Sequence, residues 1–106
     1  MAHLKDEPTL KDLQHYLDEV CQERGWTKDS SSEKFVLFIE EVGELAKAMR
    51  KTAGLYEEHA KQRDISLEEE FADVLSYLLD LANAYQVDLE KAFRDKEEVN
   101  RARVWE

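Results

Sequence analysis

Apolar residues recur at spacings of three and four along most of this chain, with only one proline and three glycines to interrupt them. That period places apolar side chains on one face of an α-helix. Val, Ile and Thr together contribute only 12 of the 106 residues, while Leu, Ala, Glu and Lys abound. Straight-chain residues lose little rotamer freedom in a helix and β-branched ones lose more, so the composition predicts an all-α fold. A chain of this length makes one domain, here residues 1–106, and buries roughly two-thirds of the surface its unfolded form exposes. The net charge of −10 is high, but 13 leucines and 10 aromatic residues supply too much apolar surface for a disordered segment.

The same arithmetic excludes whole function classes. No apolar run approaches the roughly 18 residues of a membrane span. A −10 chain is a poor partner for nucleic-acid backbones, which attract basic surfaces. The opening stretch Met1 to Pro8 lacks the apolar core of a signal peptide, and Cys21 is the sole cysteine, so no intrachain disulfide forms. The expected location is cytoplasmic.

Four helices are marked out. The first runs from about Leu10 to Arg24, with Leu10, Leu13, Leu17 and Val20 as its stripe, Thr9 as its cap and Gly25 as its left-handed stop. The second runs from about Ser31 to Thr52. Ser30 and Glu33 have capping-box spacing, and Phe35, Phe38, Ile39, Val42, Leu45, Ala46 and Met49 form its stripe before Gly54 ends it. Residues Leu55 to Ile65 are weakly patterned and read as a loop with a helical turn. The third helix follows the cap Ser66, with Glu69 as partner, and continues to about Gln86. The fourth runs from Leu89 to about Arg103 behind the cap Asp88. Antiparallel packing into a four-helix bundle is the economical arrangement. The stripes are wide for so short a chain, which predicts assembly as a dimer or tetramer.

The informative acids lie beside these stripes. Glu41 and Glu44 on the second helix, and Glu70 and Asp73 on the third, are pairs at i and i+3, a spacing that brings side chains together. Like charges at the edge of a core repel and resist desolvation. A hard divalent cation, Mg²⁺ or Mn²⁺, with oxygen donors from two facing helices, relieves both costs. A solvated acidic face is the other reading of the same spacing. Residues 64–90 contain eight acids and no Lys or Arg, so nothing within that stretch neutralises them. The fourth helix begins apolar, with Leu89, Ala92 and Phe93, then continues at helical spacing into Lys96, Asn100 and Arg103. Such a row holds an anion such as phosphate, pairs with the acids of the third helix, or faces water.

Glu40-Glu41-Val42-Gly43-Glu44-Leu45-Ala46, with Glu44 followed after 25 residues by Glu70-Phe71-Ala72-Asp73-Val74, resembles the ExxE…ExxD signature of the MazG-like all-α nucleotide pyrophosphohydrolases. The stretch from Val87 through Lys96, Asn100, Arg101 and Arg103 is similar to that family's closing helix. The likeness runs from about Leu10 to Trp105. Cys21-Gln22-Glu23-Arg24-Gly25-Trp26 and Asp73-Val74-Leu75-Ser76-Tyr77-Leu78 resemble the dCTP pyrophosphatase branch. The resemblance implies hydrolysis of a (deoxy)nucleoside triphosphate to the monophosphate and pyrophosphate, with a dCTP-like substrate favoured. It implies Glu41, Glu44, Glu70 and Asp73 as ligands of Mg²⁺, or of Mn²⁺, and a catalytic part for Glu40 and Glu41. Lys96, Asn100 and Arg103 would hold phosphates, Trp26, Phe38 and Tyr77 would line the nucleotide pocket beside Phe35, and a homodimer or homotetramer would complete it.

Three alternatives share parts of this pattern. Phosphoribosyl-ATP pyrophosphohydrolase is a rival of the same superfamily with another substrate. A non-enzymatic acidic helical binding module would need no turnover. A di-iron carboxylate bundle needs two Glu-x-x-His motifs, and none of His3, His15 and His59 has a Glu three positions earlier.

Overall fold

A computed structural model of the protein describes residues 1–26, 29–54 and 66–103. Among these residues the chain forms four helices and no strand: α1 (Leu10–Arg24), α2 (Ser31–Thr52), α3 (Leu67–Ala84) and α4 (Leu89–Ala102). The expected loop over Leu55 to Ile65, and His59 within it, lie outside the described residues.

Local chemistry sets each boundary. A helix start leaves backbone N–H groups without partners, and a side-chain oxygen at the cap satisfies one of them. Thr9, Ser30, Ser66 and Asp88 do this for Asp12, Glu33, Glu69 and Lys91. At Thr9 the bond is reciprocal, since Asp12 Oδ2 accepts from the Thr9 N–H at 3.0 Å. The two serine caps differ from expectation in their second bond. Ser30 Oγ shares its proton with Glu33 Oε1 at 3.2 Å, and Ser66 Oγ donates to Glu68 rather than Glu69, at 2.9 Å. At the end of α1, the Gly25 N–H donates to Gln22 O and the Trp26 N–H to Cys21 O. This closure requires the left-handed backbone that Gly25 adopts at φ 72°, and it fixes where Trp26 leaves the helix.

The packing is open. The α2–α3 hairpin is the main contact, α1 lies on α3, and α4 lies on α1. Gln14 of α1 joins three elements: its Nε2 donates to Val87 O at 2.6 Å, its Oε1 accepts from the Leu89 N–H at 3.1 Å, and its own carbonyl accepts from Asn83 Nδ2 at 3.1 Å. The Leu89 N–H is one of the unpaired donors at the start of α4, so a buried amide of α1 sets where α4 begins.

The bundle expected from periodicity is therefore not closed by the chain alone. The radius of gyration is 16.9 Å, against about 13 Å for a compact domain of this length. Among the described residues, no large side chain is completely buried. The apolar stripe expected on α2 is partly outside: Phe35, Ile39, Val42 and Met49 are exposed, and so are Phe71, Leu75 and Leu78 of α3. What α2 turns inward is Lys34, Leu37, Glu41, Glu44 and Ala48, all buried or half-buried. A helical period shows that a helix has an apolar face; it does not show whether the same chain covers that face.

Candidate active site

The inward row of α2 meets α3 at three acids. One carboxylate oxygen from each of Glu41, Glu70 and Asp73 lies within 4.8 Å of the other two. Glu41 and Glu70 are half-buried and Asp73 is exposed. Glu70 Oε2 is buried and has no hydrogen-bond partner. A buried carboxylate oxygen without a donor bears the full cost of its desolvation. Burial raises the pKa of Glu41 above its usual value, and the charges of Asp73, Glu70, Glu40 and Glu44 push it in the same direction. An unpaired oxygen among mutually repelling hard donors matches what a divalent cation with oxygen preference requires.

The other predicted acids take different places. Glu44, half-buried, lies beyond the trio and acts on Glu41 through its charge. Glu40 is exposed beside Glu41.

A cavity of about 530 Å³ opens next to the acids and includes Asp73 in its wall, within the roughly 300–1,000 Å³ typical of small-molecule sites. Trp26 and Tyr77, both predicted, line it. Arg24 lies over the Trp26 ring, 5.0 Å from its centroid, and orients it from one side. The Tyr77 hydroxyl is held protonated by burial and by the charges of Glu41 and Asp73.

Phe38 does not line this cavity; its neighbour Leu37 does. Phe38 and Leu37 are 100° apart on the wheel, and the side facing α3 is the one with Leu37. Lys96, Asn100 and Arg103 sit on or at the end of α4, which packs on α1, and none of them lines the cavity.

Sequence reasoning missed Asp80 and Cys21 in the wall of this cavity. Cys21 is buried, and burial with the neighbouring Asp80 raises its thiol to about 11, so it stays protonated. The available signal for Asp80 was its spacing from Asp73 and Tyr77, which repeats at i, i+4 and i+7.

A model of the MazG nucleotide pyrophosphohydrolase domain matches residues 31–101, the span from α2 through α4. The chain belongs to the MazG nucleotide pyrophosphohydrolase family. Human dCTP pyrophosphatase 1 is 37% identical over 101 residues, which cover 92% of this chain and 59% of that protein. The chain thus spans about three-fifths of that relative's length. The protein YpjD of Bacillus subtilis is 34% identical over 84 residues, 79% of this chain and 76% of its own. The crystal structure of this putative pyrophosphatase superposes with a TM-score of 0.79 at 30% identity, covering 94% of this chain and all of that one. A MazG-like pyrophosphohydrolase of cyanophage S-2L, bound to dGDP and three catalytic Mn²⁺ ions per active site, superposes with a TM-score of 0.66 at 30% identity, covering 94% and 88%. The MazG-family domain therefore carries its converging acids on the first two of the three helices in the matched segment.

These electrostatics have a measurable consequence. Because the folded pKa of Glu41 is raised, the folded state holds more protons than the unfolded one between the usual 4.5 and the raised value. Stability is then lost as pH rises through that window. In chelator, Glu41→Gln should melt at a higher temperature than the unaltered protein at pH 7, and the difference should shrink as pH falls toward about 4. Thermal melts followed by circular dichroism across pH check this; an equal or lower melting temperature at pH 7 contradicts it.

Proposed function

We propose that the domain hydrolyses (deoxy)nucleoside triphosphates to the monophosphate and pyrophosphate, using Mg²⁺ or Mn²⁺, with dCTP-like substrates favoured. The convergence of Glu41, Glu70 and Asp73, with an unpaired oxygen among them, is the observation that carries this reading. The human relative's name gives dCTP as substrate class, and the cyanophage protein holds a deoxynucleotide with Mn²⁺. A triphosphate with about four negative charges does not enter an acidic site unaided. The bound cation supplies neutralisation of that charge and a lowered pKa for water.

The residues divide the remaining work. Glu41, Glu70 and Asp73 hold the cation, and Glu44 adds negative charge behind them. Glu40, exposed next to Glu41, accepts the proton of the attacking water. That water's oxygen bonds to the α-phosphorus as the bond to the bridging oxygen breaks and pyrophosphate leaves. Trp26 and Tyr77 flank the nucleoside in the cavity beside Asp73. A cytoplasmic setting accords with a lone cysteine that is a free thiol.

The functional unit in this reading is a homodimer or homotetramer. The exposed apolar rows of α2 and α3 are the kind of surface that marks an interaction site. A second copy would cover them and bring Lys96, Asn100 and Arg103 to the phosphates.

Two experiments test this. Pyrophosphate release should be seen from dCTP with Mg²⁺ and not in chelator, and Asp73→Asn should reduce it by about 100-fold or more while helix content is kept. Release from none of a panel of nucleotides, or near-normal rates in the variant, contradicts the reading. Ile39→Lys, on the exposed row, should shift the sedimentation of the protein toward monomer and lower its activity; a wild-type chain that sediments as a fully active monomer excludes the assembly.

A further inference from the structure

At the end of the cavity away from the acids, Asp80 is held in place by two donors. Lys34 Nζ lies 2.8 Å from Asp80 Oδ2, and the Cys21 thiol donates to Asp80 Oδ1 at 3.6 Å. Lys34 is buried, its side chain 10% exposed, and it does not line the cavity, whereas Asp80 and Cys21 do. The same Lys34 Nζ donates to the Trp26 carbonyl at 3.4 Å. One buried ammonium thus fixes both an acidic and an aromatic part of the same wall. Asp73, Tyr77 and Asp80 follow one another on one side of α3, and all three line the cavity. Seven residues of helix separate the two aspartates by about 10 Å, the span of a nucleoside monophosphate from its phosphate to the far edge of its base.

We infer that Asp80 selects the base, accepting a hydrogen bond from the exocyclic amino group of a cytosine, adenine or guanine, and that Lys34 is the residue that positions it. The inference rests on the nucleotide reading of the cavity. A carboxylate offers about four acceptor positions, and Lys34 and Cys21 occupy two. A tie between α2 and α3 needs no charge, since apolar side chains of similar volume join helices as well or better. A carboxylate at the end of a ligand-sized cavity, with its cation behind it, presents an oriented acceptor instead. Asp and Glu accept from the amino group of cytosine by this geometry. Uracil and thymine place a carbonyl oxygen where cytosine has that amino group, which sets lone pairs against lone pairs. A site built around one hydrogen bond rejects the analogue lacking it more strongly than an apolar pocket rejects a change of shape.

The test compares dCTP with dUTP in turnover and dCMP with dUMP in equilibrium binding, using the full chain. The unaltered protein should favour the cytosine member of each pair by at least about tenfold. Asp80→Asn, whose amide also donates to a carbonyl, should lower both ratios by about tenfold or more. Removing the carboxylate leaves Lys34 buried without its partner, so the paired variant Lys34→Met with Asp80→Asn is measured alongside and should show the same loss. Lys34→Met alone should lower the binding ratio with helix content unchanged, which a merely structural tie would not do. Ratios near one in the unaltered protein, or ratios preserved without Asp80, overturn the assignment. Selective binding of dCMP through Asp80 without pyrophosphate release from any triphosphate would leave the assignment standing and remove the reaction. Turnover without base preference would do the reverse.

Discussion

Mutual repulsion among carboxylates held between α2 and α3 is the constraint on which the rest of the molecule depends. An isolated helical hairpin of this composition would gain most by turning Phe35, Ile39, Val42 and Phe71 inward. Instead these side chains are exposed and Glu41, Glu44 and Glu70 are half-buried between the helices. The metal-free arrangement carries an electrostatic cost, visible in the raised pKa of Glu41 and in the unpartnered Glu70 oxygen. A divalent cation bound there would convert that cost into binding energy. Stability and function are thus opposed at this site, as is common where charge is concentrated for chemistry.

The same inversion explains the open shape. A hairpin that keeps its acids inside presents its apolar faces to the outside, where only another surface can cover them. α1 covers part of α3, and α4 rests on α1 rather than on the hairpin. The nucleotide-sized cavity lies where the end of α1 meets α2 and α3. Its walls come from three different causes: the glycine-dependent closure that releases Trp26, the helical row containing Asp73, Tyr77 and Asp80, and the buried Lys34 that ties two of these together.

Much of this was legible in the sequence because it is local. Thr9, Ser30, Ser66 and Asp88 start helices through bonds three residues away, and Gly25 stops one through its own backbone freedom. The acid pairs at i and i+3 were visible for the same reason, and three of those four acids converge. What was not legible depends on distant partners. Asp80 looks like one more surface acid until Lys34, 46 positions earlier, is seen beside it. The choice between Phe38 and Leu37, and the exposure of the α2 stripe, depend on which way a helix is rotated. Periodicity leaves that rotation open when one face is apolar and the opposing face carries the site.

The central claim, that the acids of α2 and α3 form one cation site, is tested most directly by titrating Mn²⁺ into the nucleotide-free protein and following the free ion by electron paramagnetic resonance. Saturable binding in the unaltered protein that is lost in Glu70→Gln, with helix content intact, is the result predicted. Equal binding by that variant, or no saturable binding at all, would contradict it.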